Sequence, residues 1–358
     1  MFLVTNRAVH PARKGLAKLG DTPNDKGPNE LRLVEATKTG RNWRLDILPD
    51  QLDARLKKAV GLADETRTVY ASEYAARQIL QRVRKQKKNI LFFVHGYNND
   101  VEAVLNRAAG LARNDGVEVI AFTWPANGGG LRGLASYKAD KRDARASVGA
   151  LDHALARMYE LLNDFNARLL HDIQSEARRE HPRDGEARDQ YITRCLEDPE
   201  RGCPFTVNML LHSMGNYLYK GLLQSSVYRR NLLLFDNIVM AAADVNNQGH
   251  AQWVDTIRCR KRIYITINED DAALMASRMK VGESQRARLG HYPYNLTSRQ
   301  AVYVDFTDGA YVGSAHAYFE GTPLRNHKIR RFFKLAFNGH RAEIDLRYEP
   351  ARGMYKIT

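Results

Sequence analysis

From residue 89 onward the chain repeats one pattern, a short continuous apolar run rich in Val and Ile followed by a longer amphipathic stretch. The runs are Asn89–Val94 (NILFFV), Val117–Thr123 (VEVIAFT), Phe205–Leu211 (FTVNMLL), Asn237–Ala243 (NIVMAAA), Arg262–Asn268 (RIYITIN) and Ala301–Phe306 (AVYVDF). A strand with one wet face would alternate, and a buried helix would run longer. Unbroken apolar runs of this length therefore predict strands covered on both faces. Helix candidates lie between them: Val101–Arg113 behind the capping residue Asp100, a long one from near Asp140 to about Arg168, Gly215–Tyr228 and Ala272–Met279. Strand alternating with helix predicts an α/β fold, a mostly parallel sheet with helices on both faces.

The flanks read differently. Residues 1–70 are rich in Gly, Pro, Asn and charge, with short extended candidates at Leu31–Ala36 and Trp43–Leu48, and predict an N-terminal extension, irregular or a small β-ribbon. Ser72–Lys88 predicts a helix with Tyr74, Ile79, Leu80 and Val83 on one face and cations in its last turns, where they suit the helix dipole. The main domain then spans 71–340, carrying a charged, solvated insertion at about 169–202, part helix and part loop, before the third strand. His327–Phe337 predicts a last helix with Ile329, Phe332, Phe333 and Phe337 buried and Gly339 as its stop, and 341–358 is left as a C-terminal tail.

Of 358 residues, 44% are hydrophobic, enough for a sizeable core. Lys and Arg number 55 against 41 Asp and Glu, a formal charge of +14. The excess points to an anionic surface as a partner, yet the cations are scattered and form no nucleic-acid-binding stripe or motif. Cys195, Cys203 and Cys259 allow at most one disulfide and have no zinc or redox spacing. Met1–Val4 is too short for the apolar segment of a signal peptide, and no window has the apolar length of a membrane span, so a cytoplasmic protein is expected. Nothing in the sequence specifies an oligomeric state.

The chemistry concentrates at strand ends. Leu210-Leu211-His212-Ser213-Met214-Gly215-Asn216 sits where a strand hands over to a helix, the place where a nucleophilic serine stands clear of a sheet. Gly215 fits the small residue two after such a serine, but Leu211 stands where G-x-S-x-G has glycine. Taken alone, Ser213 would also serve as a helix N-cap. His95-Gly96-Tyr97-Asn98-Asn99 closes the first strand with a glycine turn. Such a turn supplies an oxyanion donor, here the Tyr97 N–H, to join the Met214 N–H that follows the serine. A serine needs a histidine base and the base an acid partner. Glu269-Asp270-Asp271 follows one later strand and Gly313-Ser314-Ala315-His316 another, on the loops where open α/β sheets hold ligands.

With these residues in order, the chain resembles the α/β hydrolase superfamily. It is most similar to a largely uncharacterised bacterial branch with a His-Gly-Tyr-Asn turn, a Trp-Pro, a His-Ser-Met-Gly-Asn nucleophile turn, an Asp-x-Ala-Leu segment and a late His before aromatics. Here these are His95–Asn98, Trp124-Pro125, His212–Asn216, Asp271–Leu274 and His316–Phe319, and the resemblance covers roughly 87–322, with a weaker likeness at Phe2–Arg7. It implies Ser213 as nucleophile, His316 as general base and acid, Asp271 as the acid that orients it, and tolerance of Leu211. It implies no substrate.

Asp244 and Asp270 stand as alternative acids, His291 as a loop or surface residue, and His95 and His212 as packed core histidines. Gly128–Gly133 matches G-x-G-x-x-G by letter but is separated from its strand by Trp124–Asn127, so it reads as a loop bordering the site and no nucleotide cofactor is expected. The histidines do not cluster at metal-ligand spacing, so no metal is expected either. The function expected is a serine hydrolase acting on a small-molecule or lipid acyl ester, thioester or amide. The alternatives are a non-catalytic module of the same fold binding an anionic partner, or an acyltransferase with the same triad.

Overall fold

The computed structural model describes residues 1–63, 66–126, 133–198, 201–202, 205–225, 232–278 and 287–357. The six predicted core strands are present as β6 (Ile90–Val94), β7 (Glu118–Thr123), β8 (Val207–His212), β9 (Asn237–Ala241), β10 (Arg262–Ile267) and β11 (Ala301–Asp305). Every residue of β6, β8 and β9 is buried, as runs without alternation require. Five further strands complete the sheet: β1 (Phe2–Thr5), β4 (Arg32–Thr39), β5 (Asn42–Ile47), β12 (Arg347–Glu349) and β13 (Met354–Lys356). The order is β12-β13-β11-β10-β9-β8-β6-β7-β1-β4-β5, parallel from β13 through β1 and antiparallel at both edges. β2 (Arg7–Val9) and β3 (Leu19–Pro23) form a separate two-stranded ribbon.

The chain divides into two units, and not at the expected boundaries. The first, Met1–Asp50, Asn89–Ala154 and Thr206–Thr358, holds the whole sheet. The second, Gln51–Lys88 and Leu155–Phe205, holds α1 (Ala54–Ala59), α2 (Ala71–Gln86), most of α5 (Val148–Glu180) and α6 (Gly185–Glu197). The expected N-terminal extension is therefore split, with Phe2 and Leu3 of β1 fully buried against β7 and β4. Arg7 ends the apolar start in sequence, but in the fold it is fully buried. Its Nε donates to Thr123 Oγ1 (3.0 Å), Nη1 to Gly20 O (3.2 Å) and Nη2 to the carbonyls of Asn99 (3.1 Å) and Ala126 (3.3 Å). Burial lowers its pKa to about 10. The expected tail, likewise, supplies two sheet strands. The charged segment at 169–202 is mostly helical, α5 running on to Glu180 and α6 following.

In the first unit, α3 (Val101–Asp115) starts at Asp100, whose carboxylate accepts the Ala103 N–H at 2.8 Å, and ends at Gly116 with φ 71°. The expected helix from Asp140 is two, α4 (Gly133–Ala146) and α5, parted at Ser147, whose hydroxyl donates back to Asp143 O. α7 (Gly215–Leu223), α8 (Ala251–Val254), α9 (Ala272–Arg278) and α10 (His327–Phe337) complete it. The predicted stripe of α10 is buried among Phe306, Tyr318 and Phe319.

The strand order positions the site. From β6 the chain steps to β7 on one side, then returns past β6 to β8 on the other. Helices covering diverging strands leave a crevice beyond the strands' carboxyl ends at such a switch point. The turns after β6 and β8 are His95–Asn99 and Ser213.

Candidate active site

Ser213 joins β8 to α7 with φ 52°, the left-handed region that costs a non-glycine residue roughly 1–3 kcal/mol and persists only where neighbours impose it. Ser213 N–H donates to Ala241 O (3.0 Å), while Ser213 O accepts from Asp244 N (3.2 Å) and Asn216 N (3.1 Å). The buried Asn216 amide also donates to the carbonyls of Leu211, Ser213 and Ala241 at 3.1–3.4 Å. Asn216, present in the motif without a role, is thus the side chain that pins the turn.

Two glycines admit the close packing here, and neither is at position 211. A Cβ on Gly96 would fall 2.6 Å from Ser213 Cβ and 3.2 Å from its Oγ; one on Gly215 would fall 2.7 Å from Val94 O. The turn after β6 therefore lies against the serine. Leu211 is buried within the parallel ladder, opposite Val94 and Met240.

His316, on the loop after β11, meets Asp271, just after β10, with Nδ1 to Oδ2 at 2.8 Å. Asp271 is fully buried, and its Oδ1 accepts the N–H groups of Ala273 and Leu274, both at 2.9 Å, capping α9. One carboxylate oxygen is fixed by a helix start, and the other draws the imidazole proton to Nδ1. Nε2 is left as the basic nitrogen. The His316 ring lies 4.7 Å from that of His212, the residue before Ser213. Tyr318 braces the loop: its hydroxyl accepts the Ala242 N–H (3.1 Å) and bonds Thr266 Oγ1 (2.7 Å), tying it to the ends of β9 and β10.

The rival acids sit elsewhere. Asp244 is buried in an ion pair with Arg288 (3.1 Å) and accepts from Tyr137 OH and Ser277 Oγ, each at 2.9 Å. Burial beside Asp244 raises the Tyr137 phenol to about 12, so it stays a donor. Asp270 is exposed. His291 lies in a loop as expected but is buried, and among the described residues neither ring nitrogen has a hydrogen-bond partner. Burial and then Arg278 lower its pKa, against the pull of Asp271 and Asp270. Gly128–Arg132 of the glycine stretch lie outside the described residues, as does Cys203; Cys195 and Cys259 are free. Among the described residues no cluster of His, Cys, Asp and Glu could hold a metal, and no helix is long and apolar enough to cross a membrane.

His95 and His212 are core histidines. His95 Nδ1–H donates to Gly96 O (2.9 Å) and Nε2 accepts the Trp124 N–H (3.2 Å), while its ring stacks on the Trp124 indole. Burial, reinforced by Arg7, pushes it down to about 3; burial and the neighbouring His316 hold His212 well below the usual range. With folded pKa values below the unfolded value near 6.5, the unfolded chain binds the extra protons. Their contribution to stability is therefore complete above about pH 6.5 and is lost as pH falls toward the folded values. Thermal unfolding followed by circular dichroism should show Tm falling between about pH 6.5 and 5, above the range where most carboxylates titrate. A flat Tm across that window would contradict neutral burial of these rings.

A family model described as an alpha/beta hydrolase of unknown function (DUF900) matches residues 72–170 and 189–310, more than half of the chain. Neither a curated protein nor a solved structure matches it.

Proposed function

This chain belongs to that α/β hydrolase family, and from this premise we propose that it is a serine hydrolase cleaving an ester, thioester or amide through an acyl-enzyme. Ser213 Oγ attacks the substrate carbonyl while His316 Nε2 takes its proton. The N–H groups of Tyr97 and Met214 receive the oxyanion. His316 then gives its proton to the leaving group and activates the water that releases the acid, with Asp271 holding the ring and stabilising its charged form. An ester is the preferred substrate by analogy with the commonest chemistry of the fold.

The observation that carries this reading is the His316–Asp271 hydrogen bond, made by a carboxylate whose other oxygen is already committed to α9. It leaves one imidazole tautomer, the one a serine hydroxyl needs. A fluorophosphonate probe, which forms a covalent adduct only with an activated serine, should modify the native protein at Ser213, with peptide mass mapping as the readout. No adduct would remove the reading and favour a non-catalytic module, whereas an adduct at a different serine would take the nucleophile away from Ser213. An acyltransferase would also be labelled, and products from a panel of acyl esters with water or added alcohols as acceptors separate the two.

A further inference from the structure

One guanidinium links the two turns of this site. Arg107, on α3, points Nε at both Glu320 oxygens (3.0 Å each) and Nη2 at Oε1 (2.7 Å), while Nη1 donates to Asn99 Oδ1 at 2.6 Å. Arg107 and Glu320 are 17% and 32% exposed, so the pair is partly shielded from solvent and its fork geometry is held. Each partner reaches a different half of the site. Glu320 closes the turn after His316, with its N–H on Ala317 O, and adjoins Phe319, whose ring meets His212 edge-on at 5.0 Å. Asn99 holds the glycine turn, its Nδ2 donating to Tyr97 O at 2.7 Å and Gly96 O at 3.3 Å.

The Gly96 contact matters most. Gly96 C=O and Tyr97 N–H are opposite ends of one planar trans peptide, so whatever holds the carbonyl also aims the N–H. Two donors hold it, His95 Nδ1 and Asn99 Nδ2. Asn99 is itself oriented by Arg107 at its Oδ1 and by Arg7 at its backbone carbonyl.

We propose that Arg107 is a positioning residue that keeps the oxyanion turn and the His316 loop in one register, acting through Asn99 on the Gly96–Tyr97 peptide and through Glu320 on the base. This rests on the serine-hydrolase reading above. Lysine cannot replace it, because an ammonium on a flexible stem lacks the planar fork that serves both partners. The clamp acts on the transition state, where the oxyanion donor and base must be aligned together, and leaves ground-state binding nearly untouched.

The test uses Arg107→Lys, Glu320→Gln and the double variant in the full chain. Rates are measured per labelled site with a neutral p-nitrophenyl ester, active sites being counted by fluorophosphonate. Each single variant should lose about 10–100-fold in kcat, the scale of a misplaced reacting group, with KM changed less than ~3-fold. The double should lose no more than the worse single, since both remove the same link. A purely structural role would lower Tm and the count of active sites but leave the rate per site unchanged, and that result overturns the proposal. Losses that multiply in the double variant overturn it as well. If Arg107→Lys does not fold, the isosteric Glu320→Gln carries the test by its kcat against KM. Failure of both to fold would assign the pair to fold maintenance and end the proposal. If native Ser213 takes no label, it is the hydrolase reading that fails; if it is labelled and the variants match native rates, only the clamp fails.

Discussion

Ser213→Ala should abolish fluorophosphonate labelling and lower ester kcat by about 10⁴–10⁶-fold, the loss typical of removing a triad member, while Tm stays within a few degrees of native. The small stability effect follows from the turn's construction. What holds Ser213 at φ 52° is backbone bonding to Ala241, Asp244 and Asn216 together with the Asn216 amide, and all of it survives loss of the hydroxyl. Ser213→Gly separates strain from chemistry: it should be equally inactive yet more stable than Ser213→Ala, by about 1 kcal/mol, because glycine enters the left-handed region without steric cost. Kinetics on both variants and paired thermal melts provide the check. Retained turnover in either variant would remove Ser213 from the mechanism, and a less stable glycine variant would mean that the turn is not strained.

The parts of this molecule that were legible in sequence share one property: they are local. β6, β8 and β9 are buried on both faces, so their residues form unbroken apolar runs that no helix of the same length would need. β1 is buried except at the half-buried Val4, but it is only four residues long and runs straight into Asn6 and Arg7, whose side-chain N–H groups donate to Pro28, Thr123, Gly20, Asn99 and Ala126, partners that no local pattern announces. β12 and β13, at three residues each, are shorter than any periodicity can show. At the site, Ser213, Asp271 and His316 stand at strand ends beside glycines and caps, and the fold brings Asp271 and His316 into contact. Arg107 and Glu320 are 213 positions apart and each reads as an ordinary surface charge. Asn99 reads as a turn residue, although its amide orients the peptide on which the proposed oxyanion donor lies.

The identity of the acid can be decided by two isosteric substitutions with opposite signatures. In Asp271→Asn, the amide oxygen can still accept from Ala273 and Leu274, so the cap on α9 and the melting temperature are largely kept. The amide nitrogen then faces His316 Nδ1 as a donor and forces the ring proton onto Nε2, the nitrogen that must be basic. A wrong tautomer in otherwise intact geometry costs about 10⁴-fold in kcat. Asp244→Asn should behave in the reverse way. It removes a carboxylate charge buried with Arg288 at 3.1 Å, and breaking such a pair costs roughly 3–5 kcal/mol because a buried cation loses the anion that offsets its desolvation. Tm should drop by several degrees, but the folded fraction, counted by labelling, should turn over within about 10-fold of native, since among the described residues the Asp244 carboxylate bonds Arg288, Tyr137 and Ser277 and not His316. Steady-state kinetics normalised to active sites, with melts on the same samples, would read both. If Asp244→Asn were the catalytically crippled variant and Asp271→Asn merely unstable, the acid would belong to the end of β9, and the His316–Asp271 contact would be a cap and no more.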